Sequence, residues 1–306
     1  MGSTIRRRDF IKTIGLAGAM GAFPLLAQKP KRRLKIGYTC ITWRTFPPRG
    51  TNPDSTLDAA LKDINSEGFW GFETFPEVLE NWDNRGELKA LMERYPVPLI
   101  SGYMVINVLD PAAAKECLVK VQRMGKILRQ YGGRYCVMQV DGVKRDQYNF
   151  ADHRSSIISG LNDAAMAFAD LGLGSGLHQH TGTAVETSDE VYTVMHAVNK
   201  YVKFAPDIGQ LQKGGSDPVK VAKDFLPILD HMHLKDYKGW NNYVGYCPLG
   251  EGQVNIPAIL DMVEASGHPC DVMVELDPSP NAPQTPLETV QTSKAYLQKL
   301  GYQFRS

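Results

Sequence analysis

Short apolar segments rich in β-branched residues alternate along the chain with longer segments in which apolar residues recur with a helical period. Polar loops separate the two kinds of segment. This pattern predicts eight strands, at 34–40, 71–75, 98–106, 135–140, 174–180, 202–207, 228–233 and 271–275. It also predicts eight helices, at 55–67, 87–94, 111–131, 152–171, 188–199, 217–225, 256–265 and 286–300.

Eight strand–helix units in about 270 residues match a single parallel (β/α)8 barrel, the TIM barrel, in size and order. A doubly wound open sheet is the alternative. The Gly-x-Gly-x-x-Gly signature of a dinucleotide-binding sheet does not follow the first predicted strand, which disfavours that alternative. We therefore expect one α/β barrel domain over residues 34–303.

The first 27 residues have the composition of an export signal. A basic start is followed by a Gly/Ala-rich apolar run that ends at Ala27. The order Arg7-Arg8-Asp9-Phe10-Ile11 resembles a twin-arginine signal. We expect a signal peptide at 1–27, a basic linker at 28–33 and a periplasmic or secreted protein with no stable membrane partner beyond export. An uncleaved membrane anchor is the alternative.

Composition narrows the class of protein further. The chain has 306 residues, 43% of them hydrophobic, and a net charge of +1. A disordered chain would be poorer in apolar residues, and a nucleic-acid-binding domain would be more basic. The five cysteines form no Cys-x-x-Cys pair, which argues against a disulfide framework or a zinc ribbon.

Side chains able to bind a metal end four consecutive predicted strands, the fifth to the eighth. These side chains are His178, His180, Asp207, His231, His233 and Glu275. Alternate residues of a strand share a face, and the carboxyl ends of barrel strands meet at one rim. Each residue taken singly has a structural explanation, such as an aspartate that caps the next helix. Together they predict a site for a divalent cation such as Zn, Mn or Co.

From about Leu34 to Gly301, the chain resembles the xylose isomerase-like TIM-barrel superfamily of sugar phosphate isomerases and epimerases. Within that group it most resembles the inosose dehydratase branch. The segment 231–236, His-Met-His-Leu-Lys-Asp, is the most specific match. The other segments that carry the resemblance are 178–183, 249–254, 71–73 and 274–277.

The resemblance implies one divalent metal, held here by His178 or His180 together with Asp207, His233 and Glu275. The sequence departs from the family pattern in two places. Many epimerases have a glutamate on strand five where this chain has His178, with His180 two residues on. The family often has a histidine on strand six where this chain has Gln210.

The resemblance also implies abstraction of the α-proton of a ketose beside the metal. Because one of the two facing glutamates is missing, we expect β-elimination or hydration of a keto-sugar, keto-cyclitol or 3-keto-glycoside. Glu275 is the expected base, His178 or His180 the acid, and Lys235 a group that polarises or binds a substrate oxygen. Sugar isomerisation or epimerisation through an enediolate is the close alternative.

Trp43, Glu73 and Glu251 are expected to contact the substrate with Lys235, since an indole stacks on a sugar face and carboxylates bind hydroxyls. The expected partner is a small sugar or cyclitol, not a nucleic acid, and a homo-oligomer is compatible with the sequence. The alternative from a different functional class is a secreted sugar-binding barrel that does not catalyse a reaction.

We predict that replacing both Arg7 and Arg8 by Lys stops export, because a twin-arginine signal is read through its arginine pair. Cell fractionation and immunoblotting would show the full-length precursor inside the cell. Arg6→Lys, which leaves the pair intact, serves as the matched control. Equal export of the double variant and the control would contradict the prediction.

Overall fold

Ten strands occur in residues 32–47 and 56–306, the part of the chain that the computed structural model describes. They are β1 (Ile36–Thr39), β2 (Phe72–Thr74), β3 (Leu99–Ile106), β4 (Tyr135–Val140), β5 (Gly174–His178), β6 (Val202–Phe204), β7 (His231–Leu234), β8 (Asp236–Tyr237), β9 (Tyr246–Cys247) and β10 (Asp271–Val274). The predicted signal peptide lies outside the described residues.

The helices of the same part of the chain follow the barrel strands. They are α1 (Leu57–Ser66), α2 (Pro76–Asn84), α3 (Leu88–Arg94), α4 (Pro111–Gln130), α5 (Phe150–Asp170), α6 (Ser188–Met195), α7 (Ile208–Lys213), α8 (Pro218–Asp224), α9 (Ile256–Ser266) and α10 (Pro286–Lys299). Among the described residues, no helix is both long and apolar enough to cross a lipid bilayer.

Eight of the strands form one parallel sheet in the order β6-β5-β4-β3-β2-β1-β10-β7. The two edges meet through isolated parallel bridges, Phe204 with Leu229 and Asp207 with His233. The His233 amide donates to the Pro206 carbonyl at 2.8 Å across the same seam. The sheet therefore forms a nearly closed barrel, and the predicted TIM barrel is confirmed. The antiparallel pair β8–β9 is an insertion between the seventh and eighth barrel strands.

Two helices, α2 and α7, were not predicted. Helix α2 has Pro76 in its first turn and begins directly after the residue that follows β2. Helix α7 has only six residues, too few to show a hydrophobic period, and its N-cap is Asp207, whose carboxylate accepts from the Gln210 amide. The aspartate predicted as a metal ligand therefore also begins a helix.

Inward and outward positions of β3 show how the barrel builds its mouth. Ile100, Met104 and Ile106 are buried, whereas Tyr103 and Val105 are progressively more exposed on the alternate face. Along a strand alternate side chains share a face, so Ser101, Tyr103 and Val105 form one row. This row leads from the barrel interior to its carboxyl-terminal mouth, where barrel enzymes place their active sites.

Candidate active site

Lys235 is the centre of a buried charge cluster at the mouth of the barrel. Its Nζ lies within ion-pair distance of three carboxylates: Glu275 Oε1 at 2.6 Å, Asp277 Oδ2 at 2.8 Å and Asp207 Oδ2 at 3.0 Å. The ammonium also lies 4.6 Å from the centre of the Tyr246 ring. Lys235 is fully buried, so these groups replace the water that a charged ammonium would otherwise bind.

The charges of this cluster stabilise one another. Burial lowers the pKa of Lys235, but the carboxylates, Asp207 first, outweigh it and raise the pKa well above its usual value. Burial raises the pKa of Glu275, but His233 and Lys235 outweigh it and bring the pKa well below its usual value. At neutral pH the lysine is therefore an ammonium and the glutamate a carboxylate.

Glu73 orients His233 through a buried hydrogen bond. His233 Nε2 donates to Glu73 Oε1 at 2.7 Å, and Glu73 Oε2 accepts from Ser101 at 2.6 Å and lies 3.1 Å from His231 Nε2. Burial raises the pKa of Glu73, but His233 and His231 more than offset it, so the group stays ionised. Glu73 is 1% exposed and therefore supports the histidines instead of facing a ligand.

Three buried donor atoms converge beside this cluster without a hydrogen-bond partner: His178 Nε2, Asp207 Oδ2 and His233 Nδ1. The second polar atom of each side chain is already fixed. His178 Nδ1 donates to the Ala205 carbonyl at 2.9 Å, and Asp207 Oδ1 accepts from the Gln210 amide at 2.9 Å. A ring nitrogen that donates leaves the other with its lone pair. A cation bound here would replace the Lys235 ion pair at Asp207 Oδ2 and the proton that the neighbouring carboxylates hold on His233.

The donor set fits a divalent metal. One donor atom each from His178, Asp207 and His233 lies within 4.8 Å of the other two. Glu275 Oε2 lies 2.9 Å from His233 Nδ1, outside hydrogen-bond geometry, and adds a carboxylate to the set. Two imidazoles with carboxylates are ligands that Zn and Mn accept. A second group of similar spacing is Glu73, His231 and His233, but its atoms are bonded to one another.

His180 and Gln210, which lie at the two departures from the family pattern, contact each other. His180 lies beyond the end of β5, and its Nδ1 donates to the Thr181 carbonyl at 2.8 Å. Its Nε2 lies 2.6 Å from Gln210 Nε2, which donates to it. Burial, and then Lys235, lower the pKa of His180, so the ring is neutral. His180 thus pairs with Gln210, while His178 keeps a free nitrogen.

Two expected substrate contacts lie elsewhere. The Trp43 indole donates to Asp63 at 2.9 Å and packs edge-on against Tyr38 at 5.6 Å. It lines a separate small cavity of 120 Å³ that includes Asp277. Glu251 is exposed on a loop. The structure does bring together five other predicted residues, and Glu73 supports them through His233: the five are His178, Asp207, His233, Lys235 and Glu275.

A cavity of 840 Å³ opens next to these residues. His180 lies on its wall, and so does Tyr103, whose ring lies 5.3 Å from the His178 ring and 6.0 Å from the His233 ring. The remaining lining residues come from loops and strand ends of the first half of the barrel: Ile41, Phe46, Pro47, Phe75, Glu77, Glu80, Asn81, Asn84, Val105, Lys120 and Gln139.

Sequence reasoning missed two residues of the site. Asp277 is the third carboxylate on Lys235, and a signal for it existed, because it lies two residues beyond Glu275 on the same segment. Tyr103 packs on two candidate ligands, but a single tyrosine in a strand carries no signal of its own.

A family model described as xylose isomerase-like TIM barrel matches residues 61–300. The chain belongs to this family. It is 24% identical over 274 residues to the rhizopine catabolism protein MocC of Rhizobium meliloti, covering 81% of this chain and 83% of that one. It is 24% identical over 224 residues to an inosose dehydratase of Geobacillus kaustophilus, covering 69% of this chain and 72% of that one.

Several solved structures share the fold of this chain. A probable 3-DHS dehydratase, AsbF of Bacillus anthracis, superposes with a TM-score of 0.69 at 16% identity, covering 87% of this chain and 99% of that one. The 3-keto-D-glucoside 4-epimerase YcjR of E. coli gives 0.65 at 17% identity, covering 88% and 99%. The IOLI protein with a bound zinc atom gives 0.69 at 18% identity, covering 89% and 100%.

We predict that Lys235→Met lowers the free energy of unfolding by about 3–5 kcal/mol at pH 7 in the presence of a chelator, because it leaves buried carboxylates without their cation. The loss should be smaller at pH 5. The unpaired carboxylates then have raised pKa values in the folded state, so the folded protein binds more protons and gains stability as the pH falls.

Urea unfolding at the two pH values measures this effect. Lys220→Met is the matched control, because Lys220 forms an exposed ion pair with Asp224 and its loss should leave the stability close to that of wild type. If Lys235→Met were as stable as this control at pH 7, the cluster would not hold the mouth of the barrel together.

Proposed function

We propose that this chain is a divalent-metal-dependent enzyme that removes the α-proton of a keto-sugar, keto-cyclitol or 3-keto-glycoside and then eliminates water, or catalyses the reverse hydration. The observation that carries the proposal is the close set of three buried ligand atoms, from His178, Asp207 and His233, that make no hydrogen bond and lie beside an open cavity. The names of the relatives and structural neighbours, two of them dehydratases, support the same class.

His178, Asp207, His233 and Glu275 would hold the metal. A bound divalent cation supplies Lewis acidity, which lowers the pKa of a C–H bond next to a ketone. Of His178, the last residue of β5, and His180, two residues further on, we assign His178 to the metal, because its Nε2 makes no hydrogen bond and its Nδ1 is fixed by a backbone carbonyl.

His180 is then available for proton transfer. His180 is neutral and lies on the cavity wall. Its Nε2 can accept the α-proton once the substrate displaces the hydrogen bond from the Gln210 amide. The imidazolium formed can return that proton to the departing hydroxyl, which leaves as water. Lys235, held as an ammonium, positions Glu275 and Asp207 through its ion pairs, and Glu275 is the weaker base because His233 and Lys235 lower its pKa.

Epimerisation is the second candidate reaction. It requires one group that accepts a proton on one face of the substrate and another that donates on the opposite face. The site has two groups able to exchange protons, His180 and Glu275, which keeps this reaction open to test.

Metal analysis distinguishes the proposed roles of His178 and His180. We predict about one divalent metal per chain in protein purified without chelator, and loss of both metal and turnover in His178→Ala and His233→Ala. His180→Ala should keep the metal and lose turnover, whereas the exposed His196→Ala control should keep both. A wild-type protein that carries no metal, and that added Mn, Co or Zn does not affect, would refute the proposal.

The reaction type is measured on keto-sugars in deuterated water. We expect inosose or a 3-keto-glucoside to lose the mass of one water, seen by mass spectrometry and NMR. Deuterium at a single carbon with the mass otherwise retained would instead identify an epimerase. Metal-loaded protein that binds the sugars and leaves them unchanged would identify a sugar-binding barrel, and the His178→Ala variant provides the background rate.

A further inference from the structure

The mouth of the barrel is divided into two halves. The candidate metal ligands lie at the carboxyl-terminal ends of β5, β6, β7 and β10, whereas most of the 840 Å³ cavity is lined by residues on and after β1 to β4. Tyr103 and His180 belong to both halves, since they line the cavity and lie beside His178. A ligand that reacts at the metal half can therefore extend into the other half.

A row of aromatic rings leads from the metal half to the surface. The Tyr103 ring lies 5.3 Å from the His178 ring, the Phe75 ring lies 5.3 Å from Tyr103, and the Phe46 ring lies 6.1 Å from Phe75. At the outer end Phe46 and Val105 are each 39% exposed. On most of a protein surface, exposed apolar side chains occur singly and scattered. A concave surface where several of them lie together is therefore typical of a ligand site.

The cavity is large and mixed in character. Its volume is near the top of the range of about 300–1,000 Å³ that encloses drug-sized ligands, which is more than a single sugar ring fills. Polar groups face it at intervals. The Tyr103 hydroxyl donates to Gln139, and Lys120 pairs with Glu77 at 2.5 Å on the rim. Apolar rings with spaced polar groups suit the flat faces and hydroxyls of ring compounds.

We infer that the cleft is a second subsite, which binds a ring with an apolar face joined to the reacting keto-sugar. The substrate is then a glycoside and not a free monosaccharide. This inference rests on the proposed function for the identity of the reacting ring, and on the cavity and its aromatic row for the second ring. An aromatic aglycone and a second sugar share the chemistry that Phe46, Phe75 and Val105 recognise.

Binding tests the inference without turnover. Glucose, phenyl β-glucoside and cellobiose are titrated against the mature wild-type protein by calorimetry or ligand-observed NMR. We expect one or both of the two-ring ligands to bind at least about tenfold more tightly than glucose. Tighter binding of phenyl glucoside alone would identify an aromatic aglycone as the ring in the second subsite. Tighter binding of cellobiose alone would identify a second sugar there. Equal affinity for all three would overturn the inference.

Two variants locate the effect. Phe46→Ala and Val105→Ser should each remove most of the advantage of the two-ring ligands and leave glucose affinity unchanged. Val119→Ser is the matched control, because Val119 is 66% exposed on α4 and does not line the cavity. An advantage that survives both cleft variants would also overturn the inference.

Turnover separates this inference from the proposed function. The ratio of kcat/KM between a 3-keto-glycoside and the free 3-keto-sugar should exceed about tenfold in wild type and fall toward one in Phe46→Ala. Equal turnover of the two substrates would refute the second subsite and leave the proposed function in place. Tighter binding of two-ring ligands without turnover of any keto compound would instead refute the proposed function and leave the subsite.

Discussion

The ammonium of Lys235 ties together the ends of three strands of the barrel. Its carboxylate partners follow β6 and β10, and the lysine itself follows β7. Between β6 and β7 the backbone contributes isolated bridges instead of a continuous ladder, so the ion pair of Lys235 with Asp207 crosses the weakest seam of the sheet. Gly209 makes this approach possible, since a Cβ there would lie 2.8 Å from Lys235 Cγ. Closing the barrel and assembling the site therefore depend on the same contacts.

Around that cluster the protein fixes the protonation of its histidines through groups that do not face a ligand. A backbone carbonyl holds Nδ1 of His178, and Glu73 holds Nε2 of His233. Partners of this kind orient a metal-binding imidazole and select which nitrogen keeps its lone pair. The cost of burying Glu73 is offset by two histidines and Ser101.

The sequence was sufficient to predict the barrel and the strand ends whose polar side chains meet at its mouth, because both follow from periodicity and from the order of elements. It could not choose between His178 and His180. That choice depends on where β5 ends and on contacts with Ala205 and Gln210, which are distant in the chain. For the same reason the sequence could not show that Glu73, predicted to contact substrate, is hydrogen-bonded to Ser101 on β3 and His233 on β7. Asp207 caps α7 and pairs with Lys235; the sequence offered the cap as an alternative, but it could not indicate the ion pair with a residue on another strand.

The two halves of the mouth come from consecutive stretches of the chain. Most residues of the aromatic cleft precede residue 140, and the charged cluster begins at His178. Substitutions at the cleft residues Phe46, Phe75 and Val105 would leave the later stretch intact, because these side chains do not contact the charged cluster, whereas Glu73 and Ser101 in the same stretch support it. A lineage built on this plan can exchange the molecules it accepts while it inherits its chemistry unchanged.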